Sequence, residues 1–462
     1  MHEYVIIKSE ELKVTVRYRD FEDLLIRQAQ DHADGTAFLK DGLGRITYGR
    51  FYQDVLACRD SYAKQSFTCL GLLADGSYEC ILTLFGSVLA GKQVVMLDSQ
   101  MRAEQLIPLI GYTDIDQLWG DDAVVSACRD ALTDGVRDGA GKILFFTSGT
   151  TERAKAVVLT DASLMQSAYN GSCMLELKQD DILLNVLPLS HVFGFVCGLL
   201  WGLSCGACVA LGRGPRHYID DCRYFRPTAV SLVPSLLGFL LQHDLLNEEL
   251  DLILVGAGPC SDQLISAVRE KGIRLACGYG LTETSSGVAI STSGDPFAMA
   301  VCPDDTMTLA EDGEILVSAP TCMMQGYYKR EADTDAVLKD GVLYTGDLGR
   351  FDETGLLHIT GRKKEILVLP DGTKIFLPEY EAMIRNTLHT DDVCMVLRNG
   401  RPVLVLGKTD MSREAVSEAL REVMKQVPRG QRFTDVVILG HELPTTATGK
   451  IRRWEAEREI NA

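Results

Sequence analysis

The sequence predicts an α/β protein: a large N-terminal domain of mixed and parallel sheets flanked by helices, followed by a small C-terminal α+β domain. Three observations predict it. Short apolar runs alternate with helical patterns from residue 20 to about 360. The last hundred residues change character, with apolar runs set among two helical patterns. Between the regions lies YTGDLGRFDETGLLHITGRKKEILVLPDG, where glycines and charges crowd between short apolar runs, as in hairpin turns and a joint.

In chain order, AVVLT, ILLNVL, ACVALG, LILVGAG and EILVS read as strands, and residues 261–271 as a helix capped by Ser261. Such alternation implies parallel strands joined by helical crossovers. In the small domain EILVL, DVCMVL and PVLVLG read as strands, with helical patterns near residues 379–388 and 412–424. The boundary is placed at residues 362–364, giving a large domain over 1–361 and a small one over 365–462.

At 462 residues and 46% hydrophobic, the chain can bury sizeable cores. A net charge of −18 argues against a nucleic-acid partner, which calls for a basic stripe to replace phosphate counterions. The fourteen cysteines have no repeating spacing and suit reduced, buried thiols in a cytoplasm better than a disulfide framework. The first twenty residues mix charges too evenly for a signal peptide.

Residues 182–211 carry no formal charge and place Gly194, Gly198, Gly202 and Gly206 at four-residue spacing, a membrane-dimer pattern on paper. Pro188, Ser190 and His191 interrupt it, so a strand, a loop and a tightly packed helix are expected and no transmembrane span. Cys205 and Cys208 form a C-x-x-C without a second pair and read as buried thiols, not as a redox or zinc motif.

The strongest local signal is KILFFTSGTTERAKAVVLT: a strand, a loop of Thr147, Ser148, Gly149, Thr150 and Thr151, then Lys155 and a second strand. Small hydroxyl residues and glycine let backbone N–H groups approach phosphate oxygens, and the lysine adds a positive charge. A Walker-type loop does not fit, because Ala154 replaces its last glycine and Ala156 its magnesium-binding hydroxyl. LILVGAGPCS imitates a dinucleotide fingerprint at Gly256 and Gly258 but has Ser261 in place of the third glycine.

TSGTTERAK, GYGLTETSSG, YTGDLGR, ITGRKKEILVLPDG and PTTATGK occur in the order seen in the adenylate-forming enzymes. Over residues 21–451 the chain resembles that superfamily of acyl-CoA synthetases, adenylation domains and luciferases, and within it the fatty or aryl acid CoA ligases.

The resemblance implies ATP, Mg2+ and coenzyme A (or a phosphopantetheine thiol) as cofactors, and a role for each matching residue. Residues 147–151 and Lys155 would close on the β- and γ-phosphates, and Gly256, Ala257 and Gly258 would line the adenine and substrate pocket. In GYGLTE, Tyr279 and Gly280 would lie at adenine, Thr282 at the α-phosphate, and Glu283 would bind magnesium. Asp347 would hold the ribose hydroxyls and Arg362 would add a ribose and phosphate contact. Lys450 would be the catalytic lysine bridging carboxylate and α-phosphate, Lys364 the hinge, and Gly372 part of the loop presented to the thiol tunnel. The small domain is therefore expected to be mobile.

The chain departs from the family pattern at Glu152, Ala154, Ala156, Lys374, Leu377 and Thr445. In LPLSHVFGF, His191 stands where amino-acid-activating relatives place an aspartate, which disfavours α-amino acids and points to a fatty or aryl acid pocket bordered by His191. The expected activity is acyl-adenylate formation followed by acyl transfer to coenzyme A. The alternatives are loading of an acyl carrier protein and a non-catalytic ATP-binding module.

Overall fold

The computed structural model describes residues 16–40, 44–136, 138–147, 155–258, 260–292, 294–371, 373–445 and 451–461. Among them the largest sheet has 14 strands and two unlike halves. In the first half Ile182–Asn185 lies between Cys208–Leu211 and Ala229–Leu232, and Leu252–Val255 and Arg274–Leu281 follow, all parallel. These strands are short apolar runs buried over nearly their whole length, and helices such as Asp262–Glu270, capped by Ser261, carry the crossovers.

The second half begins inside Arg274–Leu281, whose end pairs antiparallel with Ser286–Ser291. Met299–Val301, Leu357–Arg362, Val342–Phe351, Glu314–Ser318 and Thr306–Leu309 then follow edge to edge, every pair antiparallel. The parallel arrangement expected through residue 360 thus stops near Gly278. The physical reason is connection length: a turn of a few residues closes a hairpin but cannot make a crossover.

A second, six-stranded sheet runs in the order Gly326–Tyr327, Ala156–Thr160, Lys142–Phe146, Gln93–Asp98, Cys69–Ala74, Gln117–Trp119. A shared aromatic core joins the layers: Phe21 stacks on Phe85 at 4.4 Å between centroids, and Phe195 lies 5.7 Å from Phe145.

The uncharged segment becomes the strand Ile182–Asn185 and a continuous helical run, Val192–Phe195, Val196–Leu200 and Trp201–Ser204, with a π turn at its centre. Its glycines face their own fold, not a second membrane helix: a Cβ on Gly194 would come within 2.3 Å of the Pro188 carbonyl oxygen. No helix among the described residues is long and apolar enough to cross a membrane. The Cys205 thiol sits 3.4 Å from the Ser172 hydroxyl, Cys208 is buried in a strand, and both are free thiols.

Beyond residue 365 the chain builds its own layers. Ile366–Val368 and Lys374–Phe376 form a hairpin, and Val393–Arg398, Arg401–Leu406 and Asp435–Ile438 form a three-stranded sheet. Strand alternation sends Val393 and Met395 to one core with Leu377 and Ile384, and Cys394 and Val396 to another with Ala456 and Ile460. The helix expected over 412–424 is divided at Leu420 into Arg413–Ala419 and Arg421–Gln426.

Candidate active site

Asp347 occupies the strand Val342–Phe351 directly opposite Arg362 on Leu357–Arg362. The hairpin is closed by Asp352, whose Oδ1 accepts from the backbone N–H of Thr354 and Leu356. Asp347 is 3% exposed, its Oδ1 lies 2.9 Å from Arg362 Nε, and its Oδ2 accepts from the Tyr279 hydroxyl at 2.9 Å. Burial pushes the Asp347 carboxyl above the usual range, against the pull of Arg362 and Tyr279. Burial likewise holds the Tyr279 phenol well above its ordinary value, so it remains a donor. Behind this trio the Glu314 carboxylate accepts from Gly346 N–H at 2.8 Å and from Lys363 Nζ at 2.5 Å, fixing the strand from which Asp347 projects.

Three residues beyond Tyr279 the same segment enters the turn Thr282–Thr284, which carries Thr282 and Glu283. Gly280 is required here: a Cβ would lie 1.7 Å from the Ser286 carbonyl oxygen where the two strands bulge. Glu283 Oε1 accepts from the Tyr327 hydroxyl at 2.6 Å, and the Lys155 ammonium lies 4.6 Å from the centroid of the Tyr327 ring. Lys155 also pairs with Asp333 at 3.2 Å. Thr147 N–H donates to the Lys155 carbonyl at 3.0 Å, closing the base of the loop between them. Ser148, Gly149, Thr150 and Thr151 lie outside the described residues, as do Gly372 and Lys450 and the side chain of Lys364.

Among the described residues no three His, Cys, Asp or Glu side chains gather into a metal-binding group. Glu283 offers a single carboxylate, a hard oxygen donor of the kind that suits a magnesium ion taking its remaining ligands from phosphate oxygens and water.

Gly256, Ala257 and Gly258 follow the strand Leu252–Val255, with Ala257 at φ 62° and both Ala257 and Gly258 exposed. The Phe193 ring closes on Gly256, where a Cβ would meet its Cζ at 2.7 Å. His191 heads the helix carrying Phe193. It keeps a face open to solvent, while the protein around it lowers its pKa despite the opposing charge of Asp98. The Cys197 thiol, 3.7 Å from the Ser286 hydroxyl, is pushed up to about 12 by burial.

The fold thus brings Tyr279, Asp347 and Arg362 into one bonded group, and Glu283 and Lys155 into another through Tyr327. Tyr327 and Asp333 were not singled out in the sequence. Their only signal is a tyrosine in GYYKREAD, and nothing in that string says which carboxylate or lysine it meets.

The segment that bears Lys450 is anchored at both ends. Thr445 and Ile451 form an antiparallel bridge, and Arg452 N–H donates to the Pro444 carbonyl at 2.7 Å. Arg453 then makes a forked pair with the buried Glu381, at 2.5 and 3.2 Å, and donates to the Met395 carbonyl at 3.1 Å.

The fold is a mixed α/β one, and residues 137–328 match the AMP-binding enzyme family. Over most of its length the chain is similar to acid–CoA ligases of the adenylate-forming superfamily. It is 27% identical to a 2-succinylbenzoate–CoA ligase of Bacillus cytotoxicus, covering 89% of this chain and 93% of that protein. It is 28% identical to an indoleacetate–CoA ligase of Aromatoleum aromaticum, covering 79% and 77%. Its fold matches the o-succinylbenzoate coenzyme A synthetase of Bacillus subtilis in complex with ATP and magnesium ion, with a TM-score of 0.80, 21% identity and coverage of 94% and 98%.

Proposed function

We propose that the protein is an AMP-forming acid–thiol ligase that activates an aryl carboxylic acid with ATP and passes the acyl group to coenzyme A. One observation carries the reading at the level of the site. A single segment, Tyr279 to Glu283, begins at a ring whose hydroxyl bonds the buried Asp347 and ends at a carboxylate bonded to Tyr327, against whose ring Lys155 stands. That arrangement offers a ribose acceptor at one end and a cation-and-lysine phosphate site at the other.

The roles follow from chemistry. Asp347, held in place by Tyr279 and Arg362, accepts from the ribose hydroxyls, and Arg362, largely exposed, reaches ribose and phosphate. Lys155 and the hydroxyl loop hold the outer phosphates, and Thr282 contacts the α-phosphate. Glu283 would hold the magnesium ion, which supplies charge neutralisation to the triphosphate when bound. Lys450 places its ammonium between the substrate carboxylate and the α-phosphate, offsetting repulsion as the mixed anhydride forms. Residues 362–364 act as the joint about which the small domain, residues 365–462, moves, withdrawing Lys450 and bringing Gly372 to the thiol.

His191 supports the choice of acid. An imidazole held neutral by its surroundings cannot pair with an α-ammonium group, and the packing of Phe193 on Gly256 gives an aromatic wall beside it. The relatives named for succinylbenzoate and indoleacetate favour the aryl half of the fatty-or-aryl expectation, and their thiol is coenzyme A, so a carrier protein is not retained as acceptor. Fourteen free thiols suit a cytoplasmic setting.

The test is a pyrophosphate-release screen with aryl, fatty and amino acids, each with and without coenzyme A. Acid-dependent release greatest with aryl acids, with acyl-CoA as product, is expected. ATP binding with no release over the whole panel would instead make the chain a non-catalytic module.

A further inference from the structure

We infer that Tyr327 is a positioning residue that holds the carboxylate of Glu283 and the ammonium of Lys155 in one fixed arrangement, so that the metal-facing and phosphate-facing charges of the site are set together before nucleotide arrives. The inference rests on the nucleotide role proposed above for Glu283 and Lys155, and adds to it a residue to which that reading gives no task.

The geometry has three parts. Tyr327 lies on the two-residue strand Gly326–Tyr327, paired antiparallel with Ala156–Thr160 so that Tyr327 faces Val157 and Gly326 faces Val158. Side chains directly opposite share a face, and a ring reaches the diagonal neighbour two positions away on that face. Two positions before Val157 is Lys155, and its ammonium stands 4.6 Å from the ring centroid. At the other end of the ring the hydroxyl donates to Glu283 Oε1 at 2.6 Å.

The strap that carries Tyr327 is itself fixed. Met324 N–H donates to the Glu283 carbonyl at 2.8 Å, Gln325 N–H to Val158 at 2.9 Å, and Tyr328 N–H to Ala156 at 2.8 Å. Tyr327 N–H donates to the Thr334 hydroxyl at 2.9 Å, and the ring is 8% exposed. A side chain held so firmly imposes its orientation on its partners. The hydroxyl donates to Oε1 and so fixes the rotation of the carboxylate. The ring face gives Lys155 a resting place without neutralising it, while Asp333, at 3.2 Å, is the counter-ion that triphosphate must displace.

Phenylalanine at this position keeps the ring and removes only the hydroxyl, whereas leucine removes both. Calorimetric titration of ATP at stepped Mg2+ concentrations, with AMP titrated in parallel and thermal melts as a folding control, separates the contributions. For Tyr327→Phe the Mg2+ concentration giving half-maximal ATP binding should rise about tenfold, the effect of losing one hydrogen bond to a charged group, with AMP affinity and Tm unchanged. Tyr327→Leu should in addition weaken ATP binding in EDTA, where Lys155 acts without metal. A Tyr327→Phe protein with the wild-type Mg2+ dependence, or one in which AMP and ATP weaken in parallel, overturns the inference. Wild-type protein that binds no ATP at any Mg2+ concentration overturns the proposed function itself, which keeps the two failures distinct.

Discussion

Arg362 Nε lies 2.9 Å from Asp347 Oδ1 across an antiparallel pair, yet the two side chains differ widely in exposure, 59% against 4%. The arginine therefore steadies a buried carboxylate from the solvent side while its own charge stays available to a ligand. The carboxylate is kept at some expense to the fold, because burial raises its pKa.

That expense makes the first prediction two-sided. Raised above its unfolded value, the Asp347 pKa means a stabilising contribution that is complete below the unfolded value, about 3.9, and lost as pH rises through the higher folded one. Asp347→Asn should thus melt at or above the wild-type temperature at pH 7, with the advantage shrinking as pH is lowered toward 4. The same variant should lose roughly 10- to 100-fold in kcat/KM for pyrophosphate release, the cost of a charge-assisted hydrogen bond to ribose. Melts across pH and a release assay read both.

Lys450→Ala should abolish acid-dependent pyrophosphate release, by roughly 100-fold or more, while thioester formation from supplied acyl-adenylate stays largely intact. Equal loss in the two half-reactions, measured separately, would remove Lys450 from the role proposed.

For His191 the predicted signature is a displaced titration. Burial lowers its pKa against the pull of Asp98, so the ring takes up its proton at a lower pH than a free imidazole would. Stability from this residue is present above the free imidazole's value and lost as pH falls through the lower folded one. The kcat/KM for an aryl acid should fall on acidification at a lower pH than the titration of a free imidazole. His191→Ala should raise KM for the acid by about tenfold and leave KM for ATP unchanged, which a two-substrate kinetic series would show.

Glu381 and Arg453 tie the last helix to the helix Leu377–Leu388 and the strand Val393–Arg398. Arg453→Met leaves the buried Glu381 carboxylate with only Arg385, at 3.7 Å, and the Met395 N–H as partners, and should destabilise this part of the chain by about 1–3 kcal/mol. Glu381→Leu combined with Arg453→Met should recover part of the loss, since it removes the buried charge but leaves the Met395 N–H without its acceptor. Because the pair sits three residues from Lys450, the single variant should also slow adenylation, and a domain-resolved melt beside the release assay tests the coupling.

Much of the scaffold was legible in the sequence. AVVLT, EILVS and the capped helix after Ser261 lie where the apolar pattern put them, since strand and helix periods and caps are local properties. The charge-free glycine-rich run also proved to be packed helix, as its Pro188 and His191 interruptions suggested. The parallel direction read for AVVLT and for the strands past residue 278 was wrong, because direction depends on how the chain returns and not on the composition of a strand.

By itself the sequence determined which segments become strands, where helices begin, and which hydroxyl, carboxylate and lysine residues are available for phosphate chemistry. Only the tertiary structure decided which of them meet. Tyr279 reaches Asp347 across 68 residues of chain and Tyr327 reaches Glu283 across 44. Neither pair sits on neighbouring strands: Tyr279 and Asp347 lie on strands with three others between them in the sheet order, and Glu283 lies in a turn, so no local pattern foretells either meeting.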